Sequence, residues 1–96
     1  MREKTVEQKL VRAVKDIGGI APKFVSPGLD GVPDRLVLLP GGKVGFVECK
    51  APEKQLRPLQ VHRKRQLEEL GFLVYCLDRP EKIGGILDEI EGGDAR

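Results

Sequence analysis

Apolar residues recur at helical spacing at the start of the chain, at strand spacing through its middle, and at helical spacing again near its end. Val6, Leu10, Ala13, Val14 and Ile17 form the first stripe, which predicts a helix from about Glu3 or Thr5 to Ile17 with Gly18 and Gly19 as its stop. Thr5 and Gln8 have the spacing of a capping box, which would start that helix close to Glu7. Ala21 to Val25 reads as a short strand, and Ser26-Pro27-Gly28 and Asp30-Gly31 as turns that lead to Pro33. Leu36 to Leu39 is a continuous apolar run closed by Pro40-Gly41-Gly42, which suits a strand covered on both faces. In the following Val44 to Lys50 strand, alternation puts Val44, Phe46, Glu48 and Lys50 on one face and Gly45, Val47 and Cys49 on the other.

Prolines 52 and 58 end that strand and suit the start of a helix from Pro58 to Leu70, with Leu59, Leu67 and Leu70 as its expected buried stripe. Positions seven apart on a helix differ by only ~20°, so Gln60 falls in line with Leu67 and faces inward, and Glu7 falls in line with Val14 at the border of the packed face. Phe72 to Leu77 is an apolar strand, and the passage from Val44 through a helix to Leu77 predicts parallel pairing by a right-handed crossover. Asp78-Arg79-Pro80-Glu81 has the spacing of a capping box for a last helix with the stripe Ile83, Ile86, Leu87 and Ile90, and the tail from about Gly92 to Arg96 is expected to fray. The sum is a single α/β domain over residues 1–96, with a mixed β-sheet flanked by helices.

Composition narrows the function. At 96 residues one core is the bound, and a third of the residues are charged, with a formal net charge of only +2. That balance permits nucleic-acid binding without requiring it, so charge clustering must decide. No apolar run is long enough to span a membrane, and the polar start lacks a signal-peptide core, so an intracellular, cytoplasmic protein is expected. Cys49 and Cys76 lie in apolar strand patterns without metal-type spacing and read as core residues. No glycine-rich phosphate loop is present, so no nucleotide cofactor is expected.

The chemistry concentrates at the open end of the hairpin. If Pro40, Gly41 and Gly42 form a three-residue loop, Leu39 faces Lys43 and Asp34 faces Glu48; a two-residue loop at Gly41-Gly42 sets Asp34 against Cys49 and needs a bulge near Pro33. Either device brings two carboxylates together, and they resist joint ionisation unless a cation lies between them; oxygen ligation favours Mg²⁺ or Mn²⁺. Lys50, one pleat further along, can hold an anion or a water, and inward-facing Gln60 needs partners such as Glu48 or Lys50. Arg57, Arg63, Lys64 and Arg65 lie near Lys54 as a local basic patch able to track phosphates, and Glu68 and Glu69 dilute it. His62 has no partner at ligand spacing and is assigned no catalytic role.

Gly31-Val32-Pro33-Asp34, Glu48-Cys49-Lys50 after thirteen intervening residues, Glu7 on the preceding helix and Gln60 on the following one together resemble the virus-type replication-repair nuclease (VRR-NUC) branch of the PD-(D/E)xK nucleases. The resemblance runs from Glu7 to about Tyr75. It implies a restriction-endonuclease-like fold and a Mg²⁺-dependent, structure-specific DNA endonuclease similar to the junction resolvases of phages and archaea, with Mn²⁺ as a substitute ion. On that footing Asp34, Glu48 and the Cys49 carbonyl would hold one or two ions, Glu7 would complete the shell, Lys50 would orient a water and steady the phosphate, and Gln60 would fix Lys50 or a ligand carboxylate. Lys54, Arg57, Arg63 and Lys64 would contact branched or double-stranded DNA, and a homodimer is implied, with Val61 as a candidate contact. The setting implied is a phage or a prokaryotic host cell. The competing reading is a non-catalytic nucleic-acid-binding or assembly module on the same fold.

Overall fold

Seven consecutive residues, Lys43-Val44-Gly45-Phe46-Val47-Glu48-Cys49, offer apolar side chains to both faces of a strand, and this segment becomes the central one. The computed structural model describes residues 1–92: α1 (Glu3–Asp16), β1 (Arg35–Leu39), β2 (Lys43–Cys49), α2 (Pro58–Glu69), β3 (Val74–Leu77) and α3 (Ile83–Gly92), the last entered through a 3₁₀ turn at Pro80–Lys82. The sheet order is β1-β2-β3, with β1 antiparallel and β3 parallel to β2. This is the expected mixed sheet flanked by helices.

The hairpin adopts the three-residue loop. Leu39 pairs with Lys43 and Arg35 with Val47, and continuing this register by one residue sets Asp34 opposite Glu48. The segment before β1 does not become the strand expected over Ala21 to Val25. It runs beside β1 with isolated bridges, Ile20 to Leu38 and Lys23 to Arg35, because Pro22 lacks the N–H that a continuous ladder would use.

The core lies on one face of the sheet. Val6, Leu10 and Val14 of α1 and Ile83, Ile86, Leu87 and Ile90 of α3 pack on Val37, Leu39, Val47, Cys49 and Leu77. Both helical stripes read from the sequence are therefore the buried ones, except that Ala13 is only partly buried and Ile17 lies past the end of α1 and is exposed. α1 stops in a Schellman arrangement, with the Gly19 amide donating to the Val14 carbonyl (2.9 Å) and Gly18, at φ +89°, donating to Lys15 (3.0 Å). It starts at Glu3, the earlier of the two expected positions, with Arg2 as its N-cap, so the capping box expected at Thr5 does not form. At the start of the last helical segment the N-cap is Arg79, without a side-chain cap, because the Asp78 carboxylate pairs with Lys82 (2.9 Å) instead.

On the opposite face the cover is thinner. Leu36 and Leu38 are half-buried, so β1 is fully covered on the core side only. Phe24, Phe46 and Phe72 line up with ring centroids 5.6 Å apart at each step. α2 lies over the acid-bearing end, and its expected stripe is not what it buries: Leu59 and Leu70 are exposed, Leu67 is half-buried, and Gln60 is its buried residue. Val61 is half-buried, Cys49 is fully buried, and Cys76 only partly so. β3 begins at Val74 rather than Phe72. The tail expected to fray begins at Gly92, which closes α3; residues 93–96 lie outside the described residues. No described helix is long and apolar enough to cross a membrane.

Candidate active site

The site forms where the β1-β2 hairpin opens and the chain is about to leave the sheet. Pro33 is buried and Asp34 sits at the bend just before β1, with its Oδ2 accepting the Cys49 backbone amide at 2.9 Å. That bond ties the acid to the end of β2 and, through the register, places it beside Glu48. Burial raises the Asp34 carboxyl above its ordinary value; the Cys49 amide lowers it, and the Glu7 carboxylate adds to the rise.

Glu48 is the buried acid of the pair. It is 5% exposed, and burial, followed by the charge of Asp34, pushes its carboxyl up to about 7, while Lys50 and the Asp34 amide pull the other way. Its Oε2 accepts a 2.6 Å hydrogen bond from Gln60 Nε2 and lies 3.8 Å from Lys50 Nζ. Its Oε1 is buried and has no hydrogen-bond partner among the described residues. A buried anionic oxygen without a donor is costly unless a cation meets it.

Gln60 reaches Glu48 because of how α2 begins. Gln60 Oε1 accepts the Arg57 backbone N–H at 2.8 Å, capping the helix start, which leaves the amide NH₂ aimed at the carboxylate. Gln60 thus fixes Glu48, one of the two kinds of target expected for it. The loop beneath is held close by Gly31: at φ +82°, a Cβ there would stand 2.8 Å from the Leu59 carbonyl oxygen. Gly28 has open space around it and serves an ordinary turn.

Glu7 projects from α1 toward the same end of the sheet, yet its Oε2 is bound by Arg35 Nε at 2.8 Å. Arg35 also donates from Nη1 to the Ala21 carbonyl at 2.9 Å, so it locks α1, β1 and the 20–24 segment together. Sequence reasoning passed over Arg35. The available signal was its place next to Asp34: alternation turns it to the face that α1 covers, where Glu7 borders the helix stripe.

Among the described residues, no group of three or more His, Cys, Asp and Glu side chains converges closely enough to hold an ion as the side chains stand. Asp34 and Glu48 are the pair brought together, with Glu7 close enough to Asp34 to raise it, and with the unpartnered Oε1 as the donor atom that fits a divalent cation. The Cys49 thiol is inert, since burial pushes it far above the ordinary range.

The basic residues read from the sequence divide. Lys54 and Arg57 are exposed at the approach to α2. Arg63 instead donates from Nε to the Asp30 carbonyl (2.9 Å) and from Nη1 to Gln66 Oε1 (2.6 Å), pinning the 28–31 turn, and Lys64 pairs with Glu68 (2.7 Å).

No protein-family model matches the chain. The chain is 55% identical over 78 residues, 81% of its length and 84% of the relative's, to a curated protein of Acyrthosiphon pisum secondary endosymbiont phage 1 named "Putative nuclease p44". A solved structure described as a VRR_NUC domain superposes with a TM-score of 0.83 at 25% identity, covering 90% of this chain and 94% of that one.

Proposed function

The chain belongs to the VRR-NUC family of nucleases, and from that premise we propose that it is a divalent-metal-dependent DNA endonuclease specific for branched structures, of the Holliday-junction-resolving kind, acting as a homodimer. The observation that carries the reading is the Glu48 Oε1 atom: a buried carboxylate oxygen with no donor, next to a second carboxylate, is a cation site in waiting. Asp34 and Glu48 would hold Mg²⁺, or Mn²⁺ in its place, with Glu7 and the Cys49 carbonyl completing the set. An ion held there would supply Lewis acidity for activating water and offsetting charge on the phosphate.

The rest is done by the chain. Gln60 fixes Glu48 by donating to Oε2, so that Oε1 remains the free donor atom. Lys50, largely buried with its Nζ 3.8 Å from Glu48 Oε2, would orient the attacking water and steady the scissile phosphate. Arg35 holds the Glu7 carboxylate at the α1 side. Lys54 and Arg57 are placed to meet backbone phosphates on the α2 side. One domain of this size carries one such centre, so paired nicks across a junction call for two copies.

The test incubates junction, flap and linear duplex DNA with the protein in Mg²⁺, in Mn²⁺ and in chelator. Cleavage is expected only with metal, and Lys50→Ala and Asp34→Ala should each lower the rate by a factor of about 10² or more. Sedimentation should show a dimer whose two nicks on a junction are coupled. Binding without any cutting in either metal would replace this reading with the non-catalytic module.

A further inference from the structure

On the α1 side of the acid centre lies a cleft of about 470 Å³ lined by Glu3, Lys4, Glu7, Gln8, Lys23 and Arg35. Its floor is the Glu7–Arg35 ion pair, which cancels its own charge. Its rims are formed by the first turns of α1 and by the segment beside β1, each carrying one exposed lysine: Lys4 on the helix, Lys23 on the segment. Neither ammonium has an ion-pair partner among the described residues, in contrast to Lys64 and Lys82. The charge of Glu7 raises the Asp34 carboxyl and that of Glu3 raises Glu48, so the cleft lies within electrostatic reach of the acids.

A second cleft, about 570 Å³ and lined by Asp30, Gly31, Arg57, Pro58 and Leu59, lies on the α2 side. If the acids cut DNA as proposed above, the strand must continue on both sides of the scissile phosphate. The α2 side offers Arg57 and Lys54, while Arg63 and Lys64 are engaged within the fold. The α1 cleft offers two exposed ammonium groups, Lys4 on α1 and Lys23 on the segment beside β1, above a charge-cancelled Glu7–Arg35 pair, and cations lining such a cleft suit a chain of phosphates. We propose that this cleft is a strand-binding subsite in which Lys4 and Lys23 grip the phosphodiester backbone flanking the cut. Glu3, on the same rim, opposes the strand's charge and limits how tightly that side holds.

The test measures binding of a labelled DNA junction in chelator across a salt series, with cleavage in Mg²⁺ recorded separately. Lys4→Ala/Lys23→Ala should weaken binding about tenfold at low salt and reduce the slope of log affinity against log salt by about 2. Glu3→Gln should strengthen binding. A Lys9→Ala/Lys15→Ala control removes the same charge from exposed positions of α1 outside the cleft and should change the slope by less than half as much. Thermal unfolding of each variant confirms an intact fold. If the Lys4/Lys23 variant matches wild type, or is matched by the control, the subsite is overturned while metal-dependent cleavage still upholds the nuclease reading. If wild type never cuts yet the lysine pair governs binding, the cleft stands and the nuclease reading falls.

Discussion

Burial and the neighbouring Asp34 push the Glu48 carboxyl up to about 7 from an ordinary 4.5, so the folded chain keeps a proton that the unfolded chain releases. Between those two values the native state binds more protons, and stability must fall as pH rises. The contribution is fully present below about 4.5 and lost above about 7, and Asp34, also raised, acts with the same sign. Asp78 is held low by Lys82 and acts oppositely, but its contribution is already complete above the ordinary carboxylate range. In chelator, the unfolding midpoint should therefore decline from pH 5 to 7.5, by an amount equivalent to at most about 3 kcal/mol. Glu48→Gln can still accept from Gln60 and should flatten the curve. Parallel curves for wild type and variant would show that Glu48 ionises normally. Gln60→Ala probes the same carboxylate from its other side: it strips Oε2 of its 2.6 Å donor and the Arg57 amide of its acceptor. A cost of about 1–3 kcal/mol is expected in denaturant unfolding, set against less than about 0.5 kcal/mol for exposed Leu70→Ser at the C-cap of the same helix.

At the scale of elements, α2 is where sequence and structure part most. A stripe of leucines at 59, 67 and 70 implies an apolar seat, yet the helix lies over the polar end of a three-stranded sheet, and what it buries is an amide that meets a carboxylate. Periodicity identified Gln60 as inward because that argument needs only the angle. It misjudged Leu59 and Leu70 because the angle says nothing of how far the sheet extends beneath them. The hairpin was legible for the opposite reason: loop length and two-residue alternation fix the pairing locally, so the turn left only two registers, and the structure adopts the three-residue loop that sets Asp34 opposite Glu48. The helix caps at Thr5 and Asp78 were not legible, because a spacing cannot show that the cap lies three residues earlier, at Arg2, or that Lys82 takes the carboxylate first. The join between the hairpin and α2 depends on Gly31. Gly31→Ala forces a left-handed alanine against the Leu59 carbonyl, and should cost about 1–3 kcal/mol and displace the start of α2. Cleavage should then fall further than the stability loss explains, since Gln60 moves with that turn; equal activity at a temperature where the variant is fully folded would disprove the link.

Across the whole molecule, the acid centre is the point where three layers meet. The sheet supplies Asp34, Glu48 and Lys50, the layer above supplies Gln60, and the layer below supplies Glu7 through an arginine that spans α1, β1 and the segment beside it. The core itself holds only the α1 and α3 side together, while the other face is covered by α2 at one end and by three phenylalanines further along. A cation shared between Asp34 and Glu48 would relieve the repulsion that raises both carboxyls and would tie together elements that the core does not. Binding that favours the native state stabilises it by about 2.7 kcal/mol when the ion is present at 100 times its dissociation constant, roughly 10–20 °C in the midpoint of a domain this small. Mg²⁺ or Mn²⁺ should therefore raise the unfolding midpoint with no DNA present, and more at pH 8, where Glu48 is ionised, than at pH 5.5, where a proton competes for it. Asp34→Asn and Glu48→Gln should each remove most of the rise, whereas Lys4→Ala/Lys23→Ala, which takes away no carboxylate, should retain it. A midpoint indifferent to either ion at pH 8 would mean that the buried Oε1 of Glu48 is answered by something other than a metal, and the cutting chemistry would then need another source.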